Sequence, residues 1–127
     1  MSNFLEHTNL TVRNPGDLAD KLVNIFDWKV RWSGEALNNG HTVHVGSDTS
    51  YLALYTPVSL DDSKERDDTL LNNLNHLGIV VDDLDAIEAK VVAMGYEPFG
   101  HREYEPGKRF YFLADDEAWS PNEFGRI

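Results

Sequence analysis

The sequence predicts an α+β fold built from two βαβββ modules, and three observations carry this prediction. First, the chain nearly repeats itself, because residues 5–12 (LEHTNLTV) reappear in outline as residues 74–81 (LNHLGIVV). Second, each copy has a histidine near its start, His7 or His76, and leads into a stretch with helical spacing of apolar residues. Third, strand-like stretches follow each helix. Such a repeat indicates a duplicated unit, whose equivalent histidines are expected to lie opposite each other.

The stretch around His7 is the first predicted strand, because polar and apolar side chains alternate along it. Successive side chains of a strand point to opposite faces, so His7, Asn9 and Thr11 should share one face. Leu10 and Val12 should share the other face, which is then available for packing against a helix.

A helix is predicted next, beginning at Asn14 and Pro15 and closing near Asp27. Asparagine is a favoured N-cap and proline suits the first helical turn. Apolar residues follow at helical spacing, namely Leu18, Leu22, Ile25 and Phe26. The first module, residues 1–57, is completed by predicted strands at 28–33, 41–45 and 51–56.

An acidic linker is expected over residues 58–72, where the run DDSKERDD carries charge without apolar periodicity. The second module then spans residues 73–127, and the two modules together should form one domain. Its predicted elements are a strand at 74–81, a helix from 83 to 94 closed by Gly95, and strands at 96–99, 108–113 and 122–127, with a turn at 104–107.

Composition excludes several classes of partner. The net charge is -11 over 127 residues, and nucleic acids and anionic membrane surfaces both select clustered Lys and Arg, so neither is expected to bind. The chain has no cysteine, which removes disulfide and thiolate chemistry and fits a cytoplasmic protein. The first residues, MSNF, lack the features of a secretory signal, and no apolar run approaches the roughly 20 residues of a membrane span.

Several motifs together resemble one family. They are the histidine near the start of each copy and the stretches 75–83 (NHLGIVVDD), 94–98 (MGYEP) and 109–115 (RFYFLAD). In this combination the chain resembles the vicinal oxygen chelate superfamily, which includes glyoxalase I, extradiol dioxygenases, fosfomycin-resistance enzymes and bleomycin-binding proteins. The resemblance implies a cupped mixed β-sheet with the helices on its outer face. It also implies a homodimer.

The resemblance further implies where a metal would be held. In metal-dependent members each half supplies two ligands, one from its first strand and one from its last, and His7 and His76 match the first-strand positions. The last-strand positions read Ala53 and Gly125, which cannot ligate a metal. Glu123 lies two residues before Gly125, on the same strand face, and is the candidate third ligand and candidate catalytic carboxylate. The metal would be zinc, nickel, manganese or iron.

The missing ligands leave three functions open. The favoured hypothesis is a glyoxalase- or bleomycin-resistance-like protein that binds a small molecule, has a degenerate metal site and needs no cofactor. The alternative is a divalent-metal-dependent lyase, isomerase or dioxygenase of the glyoxalase type, acting on a small substrate with vicinal oxygens. The third hypothesis is an interaction or regulatory protein with a vestigial pocket. Whether the chain is an enzyme therefore stays open.

Strand alternation predicts which other side chains face the cavity. Tyr51, Ala53 and Tyr55 should share one face, while Leu52 and Leu54 pack against the helices. The candidate substrate-binding residues are Asn9, Thr11, Tyr51, Tyr55 and Tyr111. Three further histidines have no counterpart in the family motif and are predicted to be surface residues, namely His41, His44 and His101.

Overall fold

The structure is a computed structural model that describes residues 3–61, 69, 71–72, 74–104, 107–114 and 123–124. The chain divides into two compact units, Met1–Asp61 and Asp62–Ile127. Most of the predicted linker, part of the predicted turn at 104–107 and most of the last predicted strand lie outside the described residues. The predicted α+β class is confirmed, since each unit combines one α-helix with a β-sheet. No helix in the described ranges is long and apolar enough to cross a membrane.

Unit 1 has the predicted βαβββ order. Its elements are β1 (His7–Thr11), α1 (Pro15–Phe26), β2 (Lys29–Glu35), β3 (His41–Gly46) and β4 (Tyr51–Thr56), with a short 3₁₀ turn at Leu37–Asn39. The strand order is β1-β4-β3-β2, in which β1 pairs parallel with β4 and the other pairings are antiparallel. Strand β4 is therefore central, with β1 on one side and β3 on the other.

Helix α1 begins and ends where its sequence signals predict. The Asn14 side chain accepts a hydrogen bond from the backbone N–H of Asp17 at 3.2 Å, and Pro15 occupies the first turn. At the other end Asp27 adopts a left-handed conformation, φ 58°, and its N–H donates to the carbonyl oxygen of Val23 at 3.0 Å. The helix buries Pro15, Leu18, Ala19, Leu22 and Ile25.

The core of unit 1 lies between α1 and one face of the sheet. The sheet residues buried there follow the predicted alternation and are Leu10, Val12, Val43, Val45, Leu52 and Leu54. Helix α1 contacts β2, β3 and β4. The residues that alternate with these, among them His7, Asn9 and Thr11, occupy the sheet face without the helix.

Unit 2 contains α2 (Leu84–Ala93), β5 (Phe99–Tyr104), β6 (Gly107–Leu113) and β7 (Glu123–Phe124), with antiparallel order β5-β6-β7. The Asp83 side chain caps α2 by accepting from the N–H of Ala86 at 3.0 Å. Gly95, with φ 92°, follows the last turn as predicted. The core of this unit comprises Val91, Tyr96, Phe110, Phe112 and Ala114.

The strand predicted at 74–81 does not form. These residues are described, but none takes part in a strand ladder. The equivalent segment of unit 1, β1, is a strand because it pairs with the last strand of its module. In unit 2 the described part of the last strand is only Glu123 and Phe124, and both residues pair with β6. A segment without a ladder partner has no strand, whatever its alternation.

The strand predicted at 96–99 begins three residues later and is β5. Tyr96 is held by the helix end instead, because its N–H donates to the carbonyl oxygen of Val91 at 3.2 Å. Its ring packs 5.5 Å from that of Phe112 in the core. The helix terminus and this aromatic contact therefore fix residue 96 outside the sheet.

Candidate functional site

The sheet face of unit 1 that α1 does not cover, called here the helix-free face, carries most of the predicted site residues. Register alone groups them, since β1 and β4 run in parallel with His7 beside Tyr51, Asn9 beside Ala53 and Thr11 beside Tyr55. Side chains that are directly adjacent on paired strands point to the same face. Strand β3 adds His44 beside Ala53 and Thr42 beside Tyr55.

Four aromatic side chains form a continuous line across this face, called here the ring row. The His7 ring stacks on Tyr51 with centroids 5.0 Å apart, and the Tyr51 ring stacks on His44 at 4.6 Å. Trp32 continues the row, 5.2 Å from His44 and tilted by 56°. The row thus takes one ring from each of β1, β4, β3 and β2.

Glu6 anchors the His7 end of the ring row. Its Oε1 accepts a hydrogen bond from the Tyr51 hydroxyl at 3.2 Å and lies 3.0 Å from Nδ1 of His7. The contact with His7, followed by that with Tyr51, lowers the pKa of the Glu6 carboxyl. Burial and the neighbouring Glu6 charge raise the pKa of the Tyr51 hydroxyl, so the phenol is a hydrogen-bond donor at neutral pH.

An irregularity in β2 brings Trp32 to the same face as Arg31. Val30 pairs with Val45 and Trp32 pairs with His44, so the register shifts between them and Arg31 is the extra residue. Such a β-bulge redirects a side chain relative to plain alternation. The Arg31 guanidinium carbon lies 4.5 Å from the centroid of the Tyr51 ring, within cation–π distance.

The surroundings of His44 favour its neutral form. Burial is the main cause of its lowered pKa, and the positive charges of His7 and Arg31 act in the same direction. Glu6 acts against them. The ring between Tyr51 and Trp32 is therefore held as an uncharged imidazole at neutral pH.

Acidification is expected to destabilise the protein through His44. Because its pKa is lowered on folding, the unfolded chain takes up this proton first, at the ordinary value of 6.5. The stability contributed by neutral His44 is complete above that pH and declines as the pH falls through the lowered value. Urea unfolding measured between about pH 7 and about pH 5 tests this. His44→Gln should reduce the loss of stability on acidification, and an identical profile in the variant contradicts the prediction.

Two predicted residues, His76 and Tyr111, come together in unit 2. Their rings make an edge-on contact with centroids 5.7 Å apart, and Nδ1 of His76 lies 2.7 Å from Oδ1 of Asn75. The Phe99 ring stacks on the Tyr111 ring, with centroids 5.8 Å apart. Arg109 precedes Tyr111 by two residues on β6 and is only 3% exposed.

Comparison with known proteins identifies the fold. No family model matches the chain, and no curated protein matches it. A glyoxylase/bleomycin resistance protein/dioxygenase domain from Frankia sp. EAN1pec is 20% identical with a TM-score of 0.71, covering 99% of this chain and 98% of that one. The trypanothione-dependent glyoxalase I of Leishmania major is 17% identical with a TM-score of 0.72, covering 98% and 87%.

A third solved structure is a point mutant of the genomically encoded fosfomycin resistance protein FosX from Listeria monocytogenes, complexed with Mn(II) and 1S,2S-dihydroxypropylphosphonic acid. It is 20% identical with a TM-score of 0.65, covering 98% of this chain and 93% of that one. The chain has the vicinal oxygen chelate fold. At these identities the likeness establishes the architecture and leaves the activity to the site itself.

Within this vicinal oxygen chelate fold the predicted site residues fall into two groups. His7, Asn9, Thr11, Tyr51 and Tyr55 share the helix-free face of unit 1. His76 and Tyr111 are in contact in unit 2. Position 123 is the register partner of Leu113 on β6, while the Glu123 side chain lies outside what the structure describes.

Sequence reasoning missed His44 and Trp32 of the ring row and Arg31 beside it. His44, predicted to be a surface residue without a role, is half-buried between Tyr51 and Trp32. Its alternation with Val43 and Val45 was the signal that could have placed it on the helix-free face. Alternation from Val30 would likewise place Arg31 on this face, whereas Trp32 had no such signal, because the bulge that brings it there is set by pairing with β3.

The described side chains do not assemble a set of metal ligands. Ala53, at a position where the resemblance implies a ligand, has only a methyl group. Nδ1 of His7 is engaged by Glu6, which leaves Nε2 as the ring nitrogen that could bind a metal. Over the described ranges, no three His, Asp or Glu side chains are grouped closely enough to hold a metal ion. The described groups on and beside the helix-free face are rings, hydroxyls, an amide, the Glu6 carboxylate and one guanidinium.

Proposed function

We propose that this chain is a glyoxalase- or bleomycin-resistance-like protein that binds a small molecule on the helix-free face of unit 1, without a metal. The observation that carries the proposal is the ring row. It runs beside Ala53, the residue at which the resemblance to the superfamily implies a metal ligand. An aromatic surface with a few polar groups is how small-molecule sites are commonly built.

Each predicted binding residue has a distinct part in this proposal. Tyr51 supplies a ring at the centre of the row. Asn9 and Thr11 are exposed on β1 and offer an amide and a hydroxyl to polar atoms of the ligand. Tyr55 marks the outer limit of the proposed site. Its ring lies so close to Gly40 that an added Cβ there would be 2.6 Å from Tyr55 Cε1, which leaves no room for a ligand between them. Tyr111 lies on β6 of unit 2, where it contacts His76, and is kept in the proposal as a candidate binding residue from the sequence.

The alternative is a metal-dependent lyase, isomerase or dioxygenase in which His7, His76 and Glu123 bind a zinc, nickel, manganese or iron ion. It is favoured by the FosX structure, a protein of the same fold that is complexed with Mn(II). Glu123 would then supply the carboxylate for proton transfer. This alternative requires both modules to contribute to one site.

Metal analysis of the purified protein separates the two functions. We expect far less than one equivalent of zinc, nickel, manganese or iron per chain by elemental analysis, and no change in melting temperature on adding EDTA. Near-stoichiometric metal that is lost in the double variant His7→Ala/His76→Ala would establish the alternative and overturn the proposal. The control is His41→Ala, which changes an exposed histidine of β3.

We also propose that the protein is a cytoplasmic homodimer that binds neither nucleic acid nor membrane. Support for the dimer comes from the resemblance to the superfamily, and support for the excluded partners comes from the net charge of -11. Light scattering should give twice the mass of one chain, and a monomeric mass would remove the dimer from the proposal.

A further inference from the structure

We infer that the ligand of the helix-free face is a small, flat, conjugated carboxylate, whose ring lies against the ring row and whose charge is held by Arg31. This inference rests on the proposed function and deepens it by naming the ligand class. In this chain a fixed guanidinium supplies the positive charge that a metal supplies in the metal-dependent members.

The flatness of the ligand follows from the ring row. Its ring-to-ring distances of 5.0, 4.6 and 5.2 Å lie in the range of stacked and tilted aromatic pairs, so the row is a platform onto which another ring can be added. Trp32, at the β2 end, is 51% exposed and offers an accessible aromatic surface. Ala53, the register partner of both Asn9 and His44, is buried, so the surface offered to a ligand is that of the rings.

The negative charge inferred for the ligand follows from the partners of the charged side chains near the ring row. Lys29 is bound to the carboxylate of Asp48. Glu6 is engaged by His7 and by the Tyr51 hydroxyl. Arg31, in the described part of the chain, forms no ion pair within 4 Å and lies over the Tyr51 ring, while its charge acts at longer range on the Glu6 and Asp48 carboxylates. Its planar guanidinium is therefore available for the two-pronged binding of a carboxylate.

A bulge in β2 places Trp32 on the same face as Arg31. Plain alternation from Val30 would place residue 31 on the helix-free face and residue 32 on the core face, but with the bulge both Arg31 and Trp32 lie on the helix-free face. Bulges of this kind occur next to functional sites, where they re-aim side chains. The rest of the chain is strongly acidic, so an anion needs such a local cation in order to bind.

A compact tetrahedral anion fits this face less well than a flat one. Phosphate could use the guanidinium of Arg31, but it would leave the aromatic platform of Tyr51, His44 and Trp32 in water. A flat carboxylate uses both features at once. The distinction can be measured directly, because the two ligand types share charge and differ in shape.

Three probes test the inference on the full chain in EDTA-containing buffer at neutral pH and low salt. They are 2-naphthoate, its neutral analogue 2-naphthamide, and inorganic phosphate, each titrated by calorimetry and by amide chemical-shift mapping. We expect 2-naphthoate to bind roughly tenfold more tightly than either other probe, which is the scale of one charge-assisted pair. The shift changes should centre on β2, β3 and β4, which carry Arg31, Trp32, His44 and Tyr51.

Arg31→Gln is the decisive variant, since it keeps a polar side chain of related length at an exposed strand position. It should weaken 2-naphthoate binding roughly tenfold and leave 2-naphthamide within about twofold. Arg102→Gln is the matched control, because Arg102 is an exposed strand arginine of unit 2, and it should change neither affinity. Unchanged circular dichroism spectra would show that both variants are folded.

The outcomes separate the inference from the function on which it rests. Equal affinities for 2-naphthoate and 2-naphthamide, with no effect of Arg31→Gln, would overturn the carboxylate class and leave ring binding on this face intact. Phosphate binding as tightly as 2-naphthoate would overturn the flat class. If neither naphthalene probe shifts resonances of unit 1, the proposed function fails together with the inference.

Discussion

Leu54→Ala is expected to lower the free energy of unfolding by about 3 kcal/mol, the largest effect of any single truncation in unit 1 that we predict. Leu54 is 0% exposed on β4, the strand that pairs with both β1 and β3. Truncation removes its apolar contacts and leaves a cavity that neighbouring strands cannot close without losing their own pairing. Urea unfolding followed by circular dichroism measures the change.

Val58→Ala provides the comparison for that substitution. Val58 lies just beyond β4 and is 74% exposed, so its truncation should change the free energy of unfolding by no more than about 0.5 kcal/mol. A Leu54→Ala loss as small as that of Val58→Ala would mean that β4 is not part of the cooperative core. In that case the sheet register that assembles the ring row would be in doubt as well.

Gly46→Ala is expected to lose about 2–3 kcal/mol and to impair ligand binding at the same time. An added Cβ would lie 2.3 Å from the carbonyl oxygen of Ser50 and 2.5 Å from Cα of Tyr51. Both are backbone atoms, so the β3–β4 turn must open to relieve the contact. Tyr51 moves with the turn, and its ring is the centre of the ring row.

Gly16→Ala is the matched control for this substitution. Gly16 lies in the first turn of α1, and its added Cβ would meet only the Asn14 side-chain oxygen at 3.8 Å, an ordinary contact. Alanine there should leave stability unchanged or raise it by up to about 1 kcal/mol. Urea unfolding and 2-naphthoate titration of both variants make the comparison, and matching behaviour of Gly46→Ala and Gly16→Ala would show that the close turn is unimportant.

Much of the candidate site was accessible from alternation in the sequence. The pattern around His7 predicted that it shares a face with Asn9 and Thr11, and the pattern around Tyr51 predicted the same for Tyr55. Register then brought those two groups side by side. The N-cap of α1 was likewise predicted from Asn14, because capping depends on residues within three positions of each other.

Other features were beyond local reasoning. The segment 74–81 alternates as β1 does, yet it forms no strand, because a strand exists only together with its partner. Tyr96 was assigned to a strand, although a bond to the helix end and a ring contact hold it elsewhere. The bulge that turns Trp32 toward His44 depends on how β2 pairs with β3.

By itself, the sequence determined the α+β class, the order of elements in unit 1, the helix ends, and which face of each strand is apolar. These properties depend on spacings of a few residues, so they can be read along the chain. Only the tertiary structure decided that His7, Tyr51, His44 and Trp32 form one row with Arg31 over it. Those residues come from four strands, and their contacts are set by inter-strand register and one bulge, which no local spacing encodes.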